Sequence, residues 1–187
     1  MRSSKKIVFF VASFSSIEAT APLGILAIST PLLEAGYEIC IIDASISPDY
    51  KKRIMEEIKD ALCLGISLVT GPMIRETVEV AKAIKKWDPD FPVILGGWHP
   101  SLLPTQTLEA PYVDIVVRAQ GEESMLAVAD RLRDDGETVW ANRITFLAID
   151  CAFRSGKRLY SRSGWLLGSP RSAERSVSES LCQREGL

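Results

Sequence analysis

The chain has one histidine, four cysteines far apart, and no run of about 18 apolar residues. Each shortage excludes something. Without a long apolar run there is no membrane-spanning helix. Cys40, Cys63, Cys151 and Cys182 form neither CxxC nor CxxxCxxC, so they cannot build a zinc or iron–sulfur cluster. Cys40 and Cys63 sit within apolar runs and read as buried, reduced thiols, which points to the cytoplasm. His99 has no neighbouring cluster of carboxylates or thiols, so no protein-built metal site is expected. No GxSxG is present to pair a serine with it. Charge of one sign is also lacking. The net charge is −2 and the pI about 5.6, which speaks against nucleic acid as a partner. The first six residues include three basic ones, but the apolar run that follows is only six residues long. That is short for a signal peptide and suits a first buried strand.

What is present is an alternation of short apolar runs and amphipathic stretches. Hydrophobic residues make 47% of the 187 and charged residues 25%, enough for a sizeable core. Residues 7–12, 38–43, 62–67, 93–95 and 113–117 read as strands. Between them, residues 22–36, 48–60, 74–87 and 122–135 carry apolar residues at helical spacing, and 102–110 a short helix or turn. Pro31 is expected to kink or split the first helix, and Gly36 to end it. Apolar strands alternating with helices imply a parallel sheet covered on both faces. Right-handed crossovers make it an α/β doubly wound, flavodoxin-like sheet of order 2-1-3-4-5. Residues 144–149 and 158–160 suggest an added hairpin. From Phe153 onward eight serines accompany seven Lys/Arg and three Asp/Glu, a composition that favours disorder.

In such a sheet the loops after the strands share one edge, where ligands bind. The stretch Val93-Ile94-Leu95-Gly96-Gly97-Trp98-His99-Pro100 ends a buried strand in two glycines. Gly96 and Gly97 allow close approach of a ligand, or simply a tight turn. The next loop over holds Ser67, Thr70 and Gly71, whose hydroxyls suit a polar ligand or a helix cap. Gln120, Gly121 and Glu122 follow the last strand, where a glutamate also favours a helix start. The loop after the first strand, with Ser13 and Ser15, contains no glycine, so GxGxxG and GxxxxGK[ST] are absent. Dinucleotide and ATP binding are thereby disfavoured. A phospho-acceptor aspartate is missing as well, since Ser67 stands at the end of the third strand.

Pro22-Leu23-Gly24, Gly65-Ile66-Ser67, Thr70-Gly71-Pro72, Gly96-Gly97-Trp98-His99-Pro100-Ser101-Leu102-Leu103-Pro104 and Gln120-Gly121-Glu122 occur in this order. Together they resemble the N-terminal cobalamin-binding domain of cobalamin-dependent radical SAM enzymes over roughly residues 5–140. The resemblance implies a corrin ring across the carboxyl edge of the sheet. The cofactor's nucleotide tail would run between Ser67–Gly71, Gly96–His99 and Gln120–Glu122, with Ser13, Ser15 and Pro100 nearby. Gly71 and Gly97 would be parts of that groove. The DxHxxG motif of mutase-type domains, whose histidine ligates cobalt, is absent after the first strand. So is the CxxxCxxC of the family's catalytic half.

The reading is therefore a cobalamin-binding domain, residues 1–140, followed by a hairpin and a Ser/Arg-rich tail, 141–187. It would not be catalytic alone, and a separate radical SAM chain is a candidate partner. A small enzyme, or a partner-binding protein using the same cleft for another ligand, is the alternative. Since an iron–sulfur cluster needs clustered thiolates, anaerobic reconstitution with iron and sulfide is expected to leave no stoichiometric cluster. One [4Fe–4S] per chain by iron analysis would overturn that expectation.

Overall fold

β1 (Lys6–Val11) is apolar on both faces, and Ile7, Val8, Phe9 and Phe10 are each at most 2% exposed. Side chains alternate along a strand, so β1 feeds two cores. The computed structural model describes residues 4–13, 21–134, 146–147 and 160–161. In it β1 pairs in parallel with β2 (Glu38–Asp43) on one side and β3 (Cys63–Ser67) on the other. β4 (Val93–Gly96) and β5 (Ile115–Val116) continue the parallel sheet in the order β2-β1-β3-β4-β5. This is the expected doubly wound, flavodoxin-like sheet. It runs on through β6 (Phe146–Leu147), parallel to β5, to β7 (Tyr160–Ser161), antiparallel to β6. Apart from Tyr160–Ser161, the expected Ser/Arg-rich tail lies outside the described residues.

α1 (Leu23–Glu34) and α6 (Glu122–Asp134) cover one face. There Ile7, Phe9, Ile94 and Val117 meet Ile25, Leu32, Met125 and Val128. α2 (Tyr50–Glu57), a 3₁₀ turn (Ile58–Asp60), α3 (Met73–Trp87) and α5 (Pro104–Glu109) cover the other. Val8, Phe10, Leu64 and Leu95 pack there against Ile54, Ile58, Ala81 and Leu108. Each fully buried side chain of this size contributes roughly 1.5–3 kcal/mol.

Several elements differ from the sequence expectation, each for a local reason. α1 is not split at Pro31; the helix runs through it to Glu34. Burial of Ile25, Ser29 and Leu32 on its inner face outweighs the one hydrogen bond that proline forfeits. The helix does end at Gly36, whose φ is +82°. The Tyr37 N–H donates to Leu32 O at 3.0 Å and the Gly36 N–H to Leu33 O at 2.9 Å. These are the two bonds of a Schellman motif. The buried stripe of α3 is Met73, Thr77, Val80, Ala81 and Ile84, with Ile74 partly buried against the same core. Thr77 sits in that core with its hydroxyl unpartnered, and Trp87 is 43% exposed. The stretch after Gly97 forms a short helix, α4 (Trp98–Leu102). Pro100 is tolerated because a first-turn N–H has no partner within the helix.

At the opposite edge from the strand ends, the Lys85 Nζ meets Asp114 Oδ2 at 2.5 Å and donates to Phe91 O at 2.8 Å. Asp114 Oδ2 also accepts the Val93 N–H at 2.8 Å. Burial raises the Asp114 carboxyl above its ordinary value, and Lys85 opposes that rise. Asp114→Ala would leave Lys85 and the first amide of β4 without this partner. It is expected to cost about 2 kcal/mol of stability, measured by urea unfolding.

Candidate functional site

The carboxyl ends of β3 and β4 are tied by backbone. The Leu68 N–H donates to Gly96 O at 2.8 Å and the His99 N–H to Leu68 O at 3.1 Å. Gly97 makes this possible. Its φ is +95°, and a Cβ there would stand 2.8 Å from Leu68 O and 3.2 Å from Ser67 Oγ. Its side of the turn is thus filled by the neighbouring loop. Gly71 also has positive φ, +137°.

Ser101, on α4, ties the next pair of loops. Its hydroxyl donates to Gly97 O at 2.6 Å and accepts the Ala119 N–H at 2.9 Å. Ala119 has φ +55°, left-handed without being glycine. Such a residue persists where its surroundings hold it, and the Ser101 hydroxyl is part of that hold.

Beneath these loops a cleft of about 540 Å³ opens between the sheet and the pair α1 and α6. Phe9, Gly65, Ile94 and Val117 form its sheet side, and Ile25, Ile28 and Met125 its helix side. Gly121 lets Ile28 of α1 pack closely at the start of α6, since a Cβ there would lie 2.9 Å from Ile28 Cδ1. Gly65 lies under the Phe9 ring, which a Cβ would meet at 2.6 Å. Trp98 and Leu102, 71% and 68% exposed, stand at the rim. Glu122 is the one charged side chain among the lining residues.

Of the residues singled out from sequence, the fold brings Ser67, Gly96, Gly97, Gln120, Gly121 and Glu122 to this cleft. Thr70, Gly71, His99 and Pro100 are not among its lining residues. Thr70 Oγ1 and His99 Nδ1 are 3.0 Å apart, a hydrogen bond joining the β3 and β4 loops, and Pro100 is buried. Ser13 is also not among the lining residues; its backbone N–H donates to Glu76 Oε2 at 2.9 Å, on α3. Ser15 lies outside the described residues. Sequence reasoning missed the apolar walls, which have the pattern of ordinary core. Gly65, a glycine in mid-strand, was the available signal. It also missed Ser101, although the residue stands inside the glycine–tryptophan–histidine motif.

Among the described residues no group of three or more His, Cys, Asp or Glu side chains is placed to hold a metal ion. Cys63 is fully buried, and burial pushes its thiol up to about 12, so it stays neutral and unreactive at physiological pH. No described helix is long and apolar enough to cross a membrane.

The model of the B12 binding domain matches residues 15–129. The chain belongs to the B12-binding domain family. Within it, the chain is 27% identical over 137 residues to an anaerobic magnesium-protoporphyrin IX monomethyl ester cyclase of Synechocystis sp., covering 69% of this chain and 27% of that protein. A protein of the same description from Rubrivivax gelatinosus is 29% identical over 127 residues, 64% of this chain and 22% of that one. The fold of this B12-binding domain is shared with the radical S-adenosylmethionine methyltransferase TsrM from Kitasatospora setae. The TM-score is 0.63 at 20% identity, over 73% of this chain and 26% of TsrM in its structure with cobalamin and a [4Fe–4S] cluster. The form with tryptophan and a SAM analogue gives the same score. The chain thus spans about a quarter of the length of the proteins it matches.

The role of Gly97 gives a direct expectation. Gly97→Val places a branched side chain at positive φ against the Leu68 carbonyl. It should lower stability by at least about 2 kcal/mol with no ligand present. Gly24→Ala, where a Cβ meets no atom within 4 Å, should not lower it. Ligand-free thermal melts of both variants check this.

Proposed function

We propose that this B12-binding domain seats cobalamin with the corrin over the β3, β4 and β5 ends and the nucleotide tail in the cleft. The cleft's form carries the proposal. It opens at the carboxyl edge of a parallel sheet, where such folds take ligands, and its volume lies in the range of small-molecule sites. Gly24, on its α1 side, leaves open space, with no atom within 4 Å of where a Cβ would stand. The polar side chains near its mouth, Ser67 and Gln120, suit the amides around a corrin. The donor set lacks a histidine after β1, so the protein would hold the cofactor by its periphery and tail rather than by a cobalt ligand. His99 would act through Thr70, keeping two loops in register. Bound cobalamin would supply carbon-transfer or radical chemistry at cobalt.

The same reading assigns residues 5–140 to the cofactor module and leaves chemistry to a radical SAM partner, on the same or another chain. The match to about a quarter of the methyltransferase and cyclase chains supports this. Cytoplasmic residence fits the free thiols of Cys40 and Cys63. The alternative of a small enzyme built on Ser67 and His99 draws less support, because the hydrogen bond of His99 Nδ1 is with Thr70.

Gly121→Leu fills the cleft at a position where the nearest atoms are the end of the flexible Ile28 side chain. It is expected to weaken hydroxocobalamin binding at least about tenfold, read by visible-spectrum titration, with an unchanged melting temperature. Parent-like affinity in a folded variant would place the tail elsewhere.

A further inference from the structure

Polar and apolar groups are sorted by depth in the cleft. Its buried side chains, Phe9, Ile25, Ile94, Val117 and Met125, are each 2–5% exposed and carry no nitrogen or oxygen. The backbone beside them is committed as well. Phe9 and Gly65 are register partners in the β1–β3 ladder, and Ile94 pairs with Gly65 and Ile115. The Val117 N–H donates to Leu95 O at 2.8 Å, and the Met125 N–H to Gly121 O at 2.7 Å. The polar lining side chains, Ser67, Ser101, Gln120 and Glu122, are all half-buried or exposed.

We infer that the cleft selects among corrinoids by their lower base, taking an apolar benzimidazole and disfavouring a purine. This rests on the seating of the tail proposed above. A dimethylbenzimidazole brings two methyl groups and an aromatic face, which gain from burial against Phe9, Ile94 and Met125. An adenine of similar area brings an exocyclic amine and additional ring nitrogens. At this depth they would give up water and find no partner, and an unpaired buried polar group is costly. Discrimination therefore comes from what the walls lack. Val117 is a wall where the rule can be changed by one atom, since threonine has nearly the same shape and adds a hydroxyl.

The experiment is a spectral titration of the full chain with three corrinoids: cobalamin, its counterpart with adenine as lower base, and cobinamide, which has no nucleotide tail. Cobalamin is expected to bind at least about tenfold more tightly than the adenine form, and more tightly than cobinamide. Val117→Thr, and separately Met125→Gln, should narrow the gap between the two bases; a melt of each variant without ligand confirms that it is folded. Equal affinity for the two bases, both above cobinamide, would overturn the selectivity while leaving the tail in the cleft. A gap unchanged in both folded variants would overturn its assignment to these walls. Equal binding of cobalamin and cobinamide, or no binding of either, would instead overturn the seating on which the inference rests.

Discussion

The close approach of the β3 and β4 ends governs the rest of the site. Gly97 at φ +95° lets its own backbone lie against the Leu68 carbonyl. With that approach, the His99 N–H reaches Leu68, α4 starts at Trp98, and Ser101 arrives where it can hold Ala119. A side chain at Gly97 would push the two loops apart and undo each of these contacts in turn. The glycine thus serves the protein's own backbone first; the room for a ligand lies on the other side of the strand ends.

That room exists because the two faces of the sheet are packed differently. The α2, α3 and α5 face is filled to the strand ends by Phe10, Ile66, Leu68 and Met73. On the α1 and α6 face, Gly24 in α1 leaves open space, while Gly65 and Gly121 let the Phe9 ring and Ile28 lie close against the backbone. An apolar cleft of this kind would be costly if it stayed empty, since its lining loses dispersion contacts. Its retention in a B12-binding domain is understandable as space for a ligand. The exposed Trp98 and Leu102 at the rim extend the apolar surface outward.

The architecture was legible because its signals are local. Short apolar runs between amphipathic stretches named β1 to β5, and the topology rules left one order for them. Six candidate residues reached the cleft for the same reason: each stood where a strand stopped, and the fold collects such positions on one edge. Ser13 and His99 also stood there, yet neither lines the cleft: the Ser13 backbone N–H is held by Glu76 and the His99 ring by Thr70. Those partners are 63 and 29 residues away, beyond the reach of any pattern in the chain. The burial of Thr77 on α3 has a similar origin. Thr77 looks polar in sequence, but the packing of Val80, Ala81 and Ile84 carries it inside.

The chain by itself determined the order of the first five strands, the edge on which a ligand would sit and, through its glycine-bearing loops, the resemblance to cobalamin-binding domains. Periodicity and turn chemistry are properties of neighbours in sequence, so they survive without a structure. Tertiary structure alone decided which glycines face space and which face another backbone, and that Phe9, Ile94, Val117 and Met125 are walls rather than ordinary core. A hydrophobic residue that lines a cleft and one that fills a core obey the same local pattern. They differ only in whether a group from a distant part of the chain occupies the volume beside them.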